Sequence, residues 1–589
     1  MGRRTLGGTM TDTGSGGRRL RTLVAVVVAM FVLASCAAIP EASDPEAIKR
    51  VDEANTPAEV PAPPEDVDPL ALVRNFADAA GSPANDYEAA RLHLTRQTRE
   101  QWQPPRELLI VDEVDTIPQP PPPGAPRSVQ MVSLQVDKVG RLKADKSFVP
   151  ESGSYEVPVR VEMQPNGQWR IANPPPELLV SRSAFEDNYR PVPVYFLDHT
   201  RDGVVPDQRY VVAQPGPAQP SRVIELLNGG PSEGFRGAMD TALPPDAVTK
   251  TNVSEAEDGA LVVNFSDLGR PAPEVRRLIA AQVVLSLQGV SNARVRLLED
   301  GTPLLPDTPE LRPADVAQFE SDNGDAGASS GLAVVDERLR VLDDNAAPVP
   351  GPAGSGEYDV VRAGQSADGS RLAAAVRRPG GVGLRVGEYG GTLQELPIGG
   401  VQLTEPTWRG SSQVWTVVDS RRIAYAVQGR DGNWSTGEVD SAELAGDRPI
   451  TDLRISRDGT RLAAVVDGTI VVAGIVGDAG DLRLYRPTPL TGGPSDVTIT
   501  GVEWIGDDSL VAMTSSSGVP VLETSVDGFQ WSSYSSANLQ QPLTAITVGP
   551  GRKVVVADNS GLWQATGDQD LWRLLQVPIG GGSIPFFPG

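Results

Sequence analysis

Apolar and polar positions change rhythm from one segment of this chain to the next, and each rhythm predicts a different element. From about residue 67 the spacing is helical. Leu70, Leu72, Val73 and Phe76 share one face, and Tyr87, Ala90, Leu92 and Leu94 predict a second helix. Strict alternation follows in Ser128–Val136 and again in Tyr155–Met163, the pattern of half-buried strands. Asn166-Gly167 then predicts a tight hairpin turn into Gln168–Ile171. Helices first and a curved antiparallel sheet after them predict an α+β domain over 67–188.

The next segment, 189–305, mixes both periods. Pro191–Asp198 and Val204–Val212 read as strands, and a helix from Ser221 to Leu227 stops at Asn228-Gly229-Gly230-Pro231. Glycine there can take the left-handed cap, and proline cannot extend the helix. Gly259–Ser266 is a further strand. A long helix over Pro273–Leu287 places Val275, Leu278, Ile279, Val283 and Leu287 toward one face, and Ala293–Leu298 closes the segment. Residues 306–330, with Asp322–Gly327 as their clearest stretch, read as linker.

Beyond 330 the chain repeats itself. Ser366–Val376, containing Asp368-Gly369-Ser370-Arg371-Leu372, recurs as Ser456–Val466 with Asp458-Gly459-Thr460-Arg461-Leu462. Degenerate copies begin at Thr407-Trp408-Arg409-Gly410, at Glu503-Trp504-Ile505-Gly506 and at Val548-Gly549-Pro550-Gly551. A period of roughly 40 to 50 residues fits one four-stranded propeller blade per repeat. Asp-Gly makes the tight turn, and the apolar run after it is a buried central strand. The expectation for 331–589 is a β-propeller of five or six blades, with Gly331–Leu342 helping to close the ring.

The N-terminus has no such periodicity. Arg18, Arg19 and Arg21 precede an apolar core from Leu23 to Val32, about half the ~20 residues a membrane-spanning helix needs. Leu33-Ala34-Ser35 then lead directly into Cys36, the only cysteine of the chain. This arrangement resembles a bacterial lipoprotein signal (residues 1–35), in which the thiol of Cys36 takes a diacylglycerol and cleavage leaves it as an acylated N-terminus. The signal is complete without residues 1–9, so Met10 is an alternative start. Residues 36–66 are rich in Glu, Asp, Pro and Ala and have little to bury, which predicts a disordered tether. Fully extended, thirty such residues reach ~100 Å.

Composition narrows the functional classes. Lys and Arg number 52 against 76 Asp and Glu, for a net charge of −24 over 589 residues. Nucleic acid is a poor partner for such a surface, because counterion release needs clustered basic side chains. One cysteine excludes a disulfide frame, and its place in the signal leaves no thiol for catalysis or zinc. Only two histidines exist, His93 within a helical pattern and His199 in the turn Asp198–Gly203; both read as packed or solvated. No Gly-x-x-x-x-Gly-Lys or His-Glu-x-x-His run occurs, and no cofactor or metal site is expected. Thr524–Trp531 resembles the Asp-box of sialidase-type propellers, one residue short of its spacing. That box is a blade-edge turn, and a structural role is the expectation here too.

Larger resemblances follow from the order of elements. Residues 67–188 resemble the cone-shaped nuclear-transport-factor-like folds in pattern. Residues 189–305, with Leu226-Leu227 ahead of Gly229-Gly230-Pro231, look like a GerMN module, an interaction module of spore-germination and sporulation envelope proteins. The Ser-x-Asp-Gly-x-Arg-Leu form resembles the blades of TolB-like propellers. Signal, tether, cone, GerMN-like module and propeller in this order are similar to the actinobacterial LpqB lipoproteins. That resemblance implies a non-enzymatic accessory protein on the extracytoplasmic face of the cell membrane. It would bind the extracytoplasmic domain of an MtrB-like sensor histidine kinase in the MtrA–MtrB system and so influence cell-wall homeostasis and division. A scaffold for envelope assembly and, further off, a hydrolase of glycans or lactones remain alternatives.

Overall fold

The computed structural model describes residues 63–589 except 215, 321–329 and 495. The signal, Leu33-Ala34-Ser35-Cys36, most of the tether and the Asp322–Gly327 linker stretch lie outside the described residues. The chain is a multidomain α+β and all-β protein.

The first domain opens with α1 (Pro69–Ala79), capped by the Asp68 carboxylate, which accepts from the Leu70 and Ala71 amides at 2.9 and 3.1 Å. It buries Leu72, Val73, Phe76 and Ala77, as the helical spacing requires. Next come α2 (Ala84–Arg91) and α3 (Arg96–Gln101). The second helix is shorter than its pattern suggests. Leu94 lies beyond its end, bridges Ile171 and enters the core.

The sheet is built from β1 (Leu108–Gln119), β2 (Val129–Leu142), β3 (Phe148–Pro150), β4 (Ser154–Met163), β5 (Trp169–Asn173) and β6 (Leu178–Ser181). Its order is β5-β4-β2-β1-β6, with β3 on β2. Asn166-Gly167 makes the β4–β5 turn, with Gly167 at φ +81°. After β6 come α4 (Arg182–Asn188) and the hairpin of β7 (Tyr189–Leu197) and β8 (Val204–Val212).

The second domain continues through α5 (Gln219–Asn228), β9 (Val248–Thr249), β10 (Ser254–Glu255), β11 (Leu261–Ser266), α6 (Pro273–Gln288), β12 (Val295–Glu299) and β13 (Thr302–Pro303). Here β11 and β12 are parallel, and α6 is the crossover between them. Gly230 takes the left-handed conformation past α5 at φ +79°. The single apolar face expected of α6 is too narrow a description, because every residue from Ile279 to Leu287 is buried. Its polar members are satisfied by β7. Ser286 Oγ accepts from the Tyr195 amide at 2.8 Å, and Gln282 Nε2 donates to the Tyr195 carbonyl at 2.9 Å.

The third domain is a six-bladed propeller. Blade 1 is made of Leu332–Val335 and Arg338–Val341 with the C-terminal strand Ile584–Phe586, so the two ends of the domain close the ring together. Blades 2 to 6 have four antiparallel strands each and begin at Val360, Thr407, Ile450, Ile499 and Ala545. The second strands Gln413–Val418 and Arg461–Val466 are buried at every position. The repeated tryptophans latch blades together. Trp408 Nε1 of blade 3 donates to the Gly364 carbonyl of blade 2 at 3.0 Å, and Trp504 of blade 5 does the same to Arg454 of blade 4 at 3.3 Å.

Candidate interaction site

The Asp-Gly turns of blades 4 and 5 are where the propeller meets the other two domains. In blade 4, Ser456 Oγ and the Thr460 amide donate to Asp458, which fixes the turn and leaves Gly459 at φ +71°. Arg461 returns to the same carboxylate, Nη2 to Oδ2 at 2.8 Å, with both side chains fully buried. The other end of its guanidinium donates to the Pro206 carbonyl of β8 at 3.1 Å. His199, on the turn after β7, places Nδ1 2.9 Å from the Asp458 carbonyl. Arg409 of blade 3 braces the turn from below through the Gly459 carbonyl at 2.8 Å.

These contacts set the charges. Burial opposes ionisation of Asp458, but Arg461 and the Thr460 hydrogen bonds outweigh it and hold its carboxyl below the usual carboxylate range. Burial pulls His199 below the ordinary histidine value, and Arg409 adds to this. Burial also lowers Arg409, to about 10.

Blade 5 uses an apolar plug. The Asp-box-like turn is pinned by Ser525 Oγ and the Phe529 amide on Asp527, and Tyr210 of β8 donates its hydroxyl to the same carboxylate at 2.9 Å. Phe529 projects out of the propeller into the core of the first domain. Its ring centroid lies 5.0 Å from Phe148, 5.3 Å from Phe185 and 5.6 Å from Tyr210. The Arg182 guanidinium sits 5.5 Å from its centroid. Burying such a ring contributes about 2–3 kcal/mol, and each good aromatic pair about 0.5–1.5 kcal/mol more.

On β8, Asp207 and Arg209 form a buried ion pair at 2.7 Å, and Arg209 Nη1 crosses to the first domain, donating to the Asp145 carbonyl at the same distance. On the surface, Arg486 of blade 4 pairs with Glu233 at 2.8 Å.

A separate cluster lies where the inner strands line the propeller channel. Arg454 of blade 4 contacts Glu405 at 3.1 Å, Asp452 at 3.2 Å and Glu503 at 3.0 Å. Burial pushes the Glu405 carboxyl up to about 7 against the pull of Arg454. A cavity of about 270 Å³ reaches this cluster past Arg362, Thr404 and Thr500. The cluster ties the approach to blade 3 to blades 4 and 5. Among the described residues, no group of three or more His, Cys, Asp or Glu side chains is placed to hold a metal ion.

The sequence-derived candidates fare unequally. Cys36 and Leu33-Ala34-Ser35 fall outside the described residues. His93 is packed at the end of α2, with Nδ1 2.9 Å from the Ala89 carbonyl and its ring 6.4 Å from Phe76. His199 is a domain-junction residue, and the Asp-box-like turn is a structural turn that also docks. Sequence reasoning passed over Tyr210, Phe529 and the outward reach of Arg461. The repeat marked the turns, but nothing local marks which turn a distant domain will cover.

Three modules joined by buried arginines that donate to a neighbouring domain's carbonyls, by capped turns and by an inserted ring define a propeller-bearing multidomain protein. Comparison with known families agrees module by module. The family described as the N-terminal domain of lipoprotein LpqB matches residues 62–186, the sporulation and spore germination family 193–305, and the lipoprotein LpqB beta-propeller domain 336–588. Among curated relatives, Lipoprotein LpqB of Rhodococcus jostii is 30% identical, covering 96% of this chain and 97% of its own. The namesakes in Mycolicibacterium smegmatis and Mycobacterium tuberculosis are 31% and 30% identical, each covering 97% of this chain and 100% of their own. The chain belongs to the LpqB lipoprotein family. Membership makes it a membrane-anchored lipoprotein; its relatives bear no enzyme name, and among the described residues no helix is long and apolar enough to cross a membrane.

Proposed function

We propose that the protein is held on the extracytoplasmic face of the cell membrane by lipid on Cys36 and there binds and modulates the extracytoplasmic domain of an MtrB-like sensor histidine kinase. The observation that carries this reading is the near-full-length likeness to LpqB lipoproteins across every module. A lipid anchor confines the protein to the kinase's own membrane, and the Pro- and Glu-rich segment after Cys36 sets its local concentration there. A rigid three-domain body can then favour one kinase conformation by binding it more tightly than the other.

Crosslinking the lipidated protein in its native membrane, with mass spectrometry of the captured species, tests this. Recovery of a sensor kinase supports the reading. Recovery of wall-assembly or export proteins alone replaces it with an envelope scaffold. Cys36→Ser is expected to move the protein from the membrane pellet to the soluble fraction, and retention in the pellet would remove the lipid anchor from the proposal.

A further inference from the structure

Beside the Phe529 plug the three domains leave an open cleft of about 550 Å³. Arg182 and Glu186 of α4 form one wall, Gln208 of β8 another, and Gln530, Trp531 and Arg552 of the propeller the rest. Sites between domains are common places for ligands, and this volume lies within their usual range of roughly 300–1,000 Å³.

Its chemistry is selective. Arg182 is already bound to Asp112 at 2.9 Å and Arg552 to Glu523 at 3.1 Å, so both cations are neutralised by the protein itself. That disfavours a phosphate or a polyanion. Gln208, Gln530 and Glu186 lie in the walls with planar polar groups that hydrogen-bond to no other side chain among the described residues. Such groups suit a ligand with many hydroxyls, each able to donate and accept.

Trp531 supplies the apolar element. Its Nε1 donates to the Gly528 carbonyl at 2.8 Å, and its ring rests against Gly492 and Gly493. A methyl group on either glycine would come within 3.1 Å of the indole, so the glycine pair makes room for it. The ring is therefore fixed in place while it lines a polar cleft. A held aromatic face flanked by planar amides and a carboxylate can stack the C–H side of a pyranose and bond its hydroxyls together.

We propose that this inter-domain cleft is a binding site for a neutral saccharide, stacked on Trp531 and hydrogen-bonded by Gln208, Gln530 and Glu186. This goes beyond the kinase reading and does not depend on it. The ligand could be a free oligosaccharide or a segment of a wall polymer, which share this chemistry.

The purified full-length chain would be titrated with chitotetraose and maltotetraose by calorimetry and co-sedimented with insoluble peptidoglycan. Saturable binding is expected in at least one arm. Calorimetric binding would identify free sugar as sufficient, and sedimentation alone would identify the polymer. Trp531→Ala should weaken binding at least about tenfold, Trp531→Phe should retain most of it, and Gln208→Ala should weaken it several-fold with an unchanged melting curve. No binding in any arm, or binding that neither Trp531→Ala nor Gln208→Ala alters, would overturn the proposal.

Discussion

The Asp-Gly turn of blade 2 and that of blade 4 share the Ser-x-Asp-Gly-x-Arg-Leu pattern and a backbone but live in different surroundings. In both, Ser Oγ and the residue after glycine donate to the aspartate, and the glycine adopts φ +70° or +71°. In blade 2, Asp368 is exposed, and Arg371 lies over the Trp434 ring at 6.0 Å without bonding the carboxylate. In blade 4 the second domain seals the turn, and Arg461 bonds Asp458 and Pro206 together. The local code therefore makes the turn. A distant domain decides whether its charges become a surface feature or a buried ion pair.

The largest effect that would test this difference is expected from Asp458→Asn. Asparagine keeps the turn acceptor but strands the buried Arg461 charge, and breaking a buried pair in this way costs about 3–5 kcal/mol. Chemical denaturation followed by tryptophan fluorescence should show it; a loss below about 1 kcal/mol would mean that water reaches Arg461 when its partner is gone.

Phe529→Ala comes next. It empties a ring-sized space in the first domain while leaving the blade-5 turn bonds to Asp527 intact, at a cost of about 3–4 kcal/mol. The expected signature is uneven. Limited proteolysis should cut faster between the first domain and the propeller, while the propeller itself stays resistant. Uniform loss of resistance would show that the plug supports the blade and not the junction.

What the sequence disclosed follows the range of the forces involved. Turn chemistry is local, so Asn166-Gly167, the Gly230 cap and both Asp-Gly repeats were legible, as was the ring-closing role of Gly331–Leu342. The Trp408 and Trp504 repeats were visible too, but not the hydrogen bond each sends to the preceding blade. Buried-all-round elements were harder. The run Leu108–Val111 at the start of β1 has no alternation because both faces are covered, and α6 shows one apolar face in sequence although β7 covers its polar residues as well. The junction was the least legible part. His199 and Asp458 meet across 259 residues, and no periodicity reports a contact of that kind. Even Thr524–Trp531, read as a structural turn, gave no sign that Phe529 leaves its own domain.

A pH dependence should separate the two turns as well. His199 faces Arg409, Asp198 and Asp458, and its folded value lies below the ordinary one, so the unfolded chain takes up the proton first. Its contribution is fully present above about pH 6.5 and is lost as pH falls from there toward the lowered folded value. His93 is lowered by burial in the same direction. His199→Gln and His93→Gln should each make stability fall less as pH drops from about 7 to 5, against the opposite trend of Glu405, whose carboxyl is raised by burial to about 7. An unchanged slope in both variants would show that neither histidine changes protonation on unfolding.

The smallest effect, and the sharpest control, belongs to Asp368→Asn. The substitution is the one made at Asp458, in the same turn, with the same serine and the same left-handed glycine. Burial opposes ionisation of Asp368, while its Ser366 and Ser370 hydrogen bonds lower it overall, yet no buried cation depends on the charge. Asparagine can accept those bonds, so the loss should stay below about 1 kcal/mol, as for other exposed charges. If Asp368→Asn cost as much as Asp458→Asn, the carboxylate would matter to the turn itself, and the docking of the second domain would explain none of the difference between the blades.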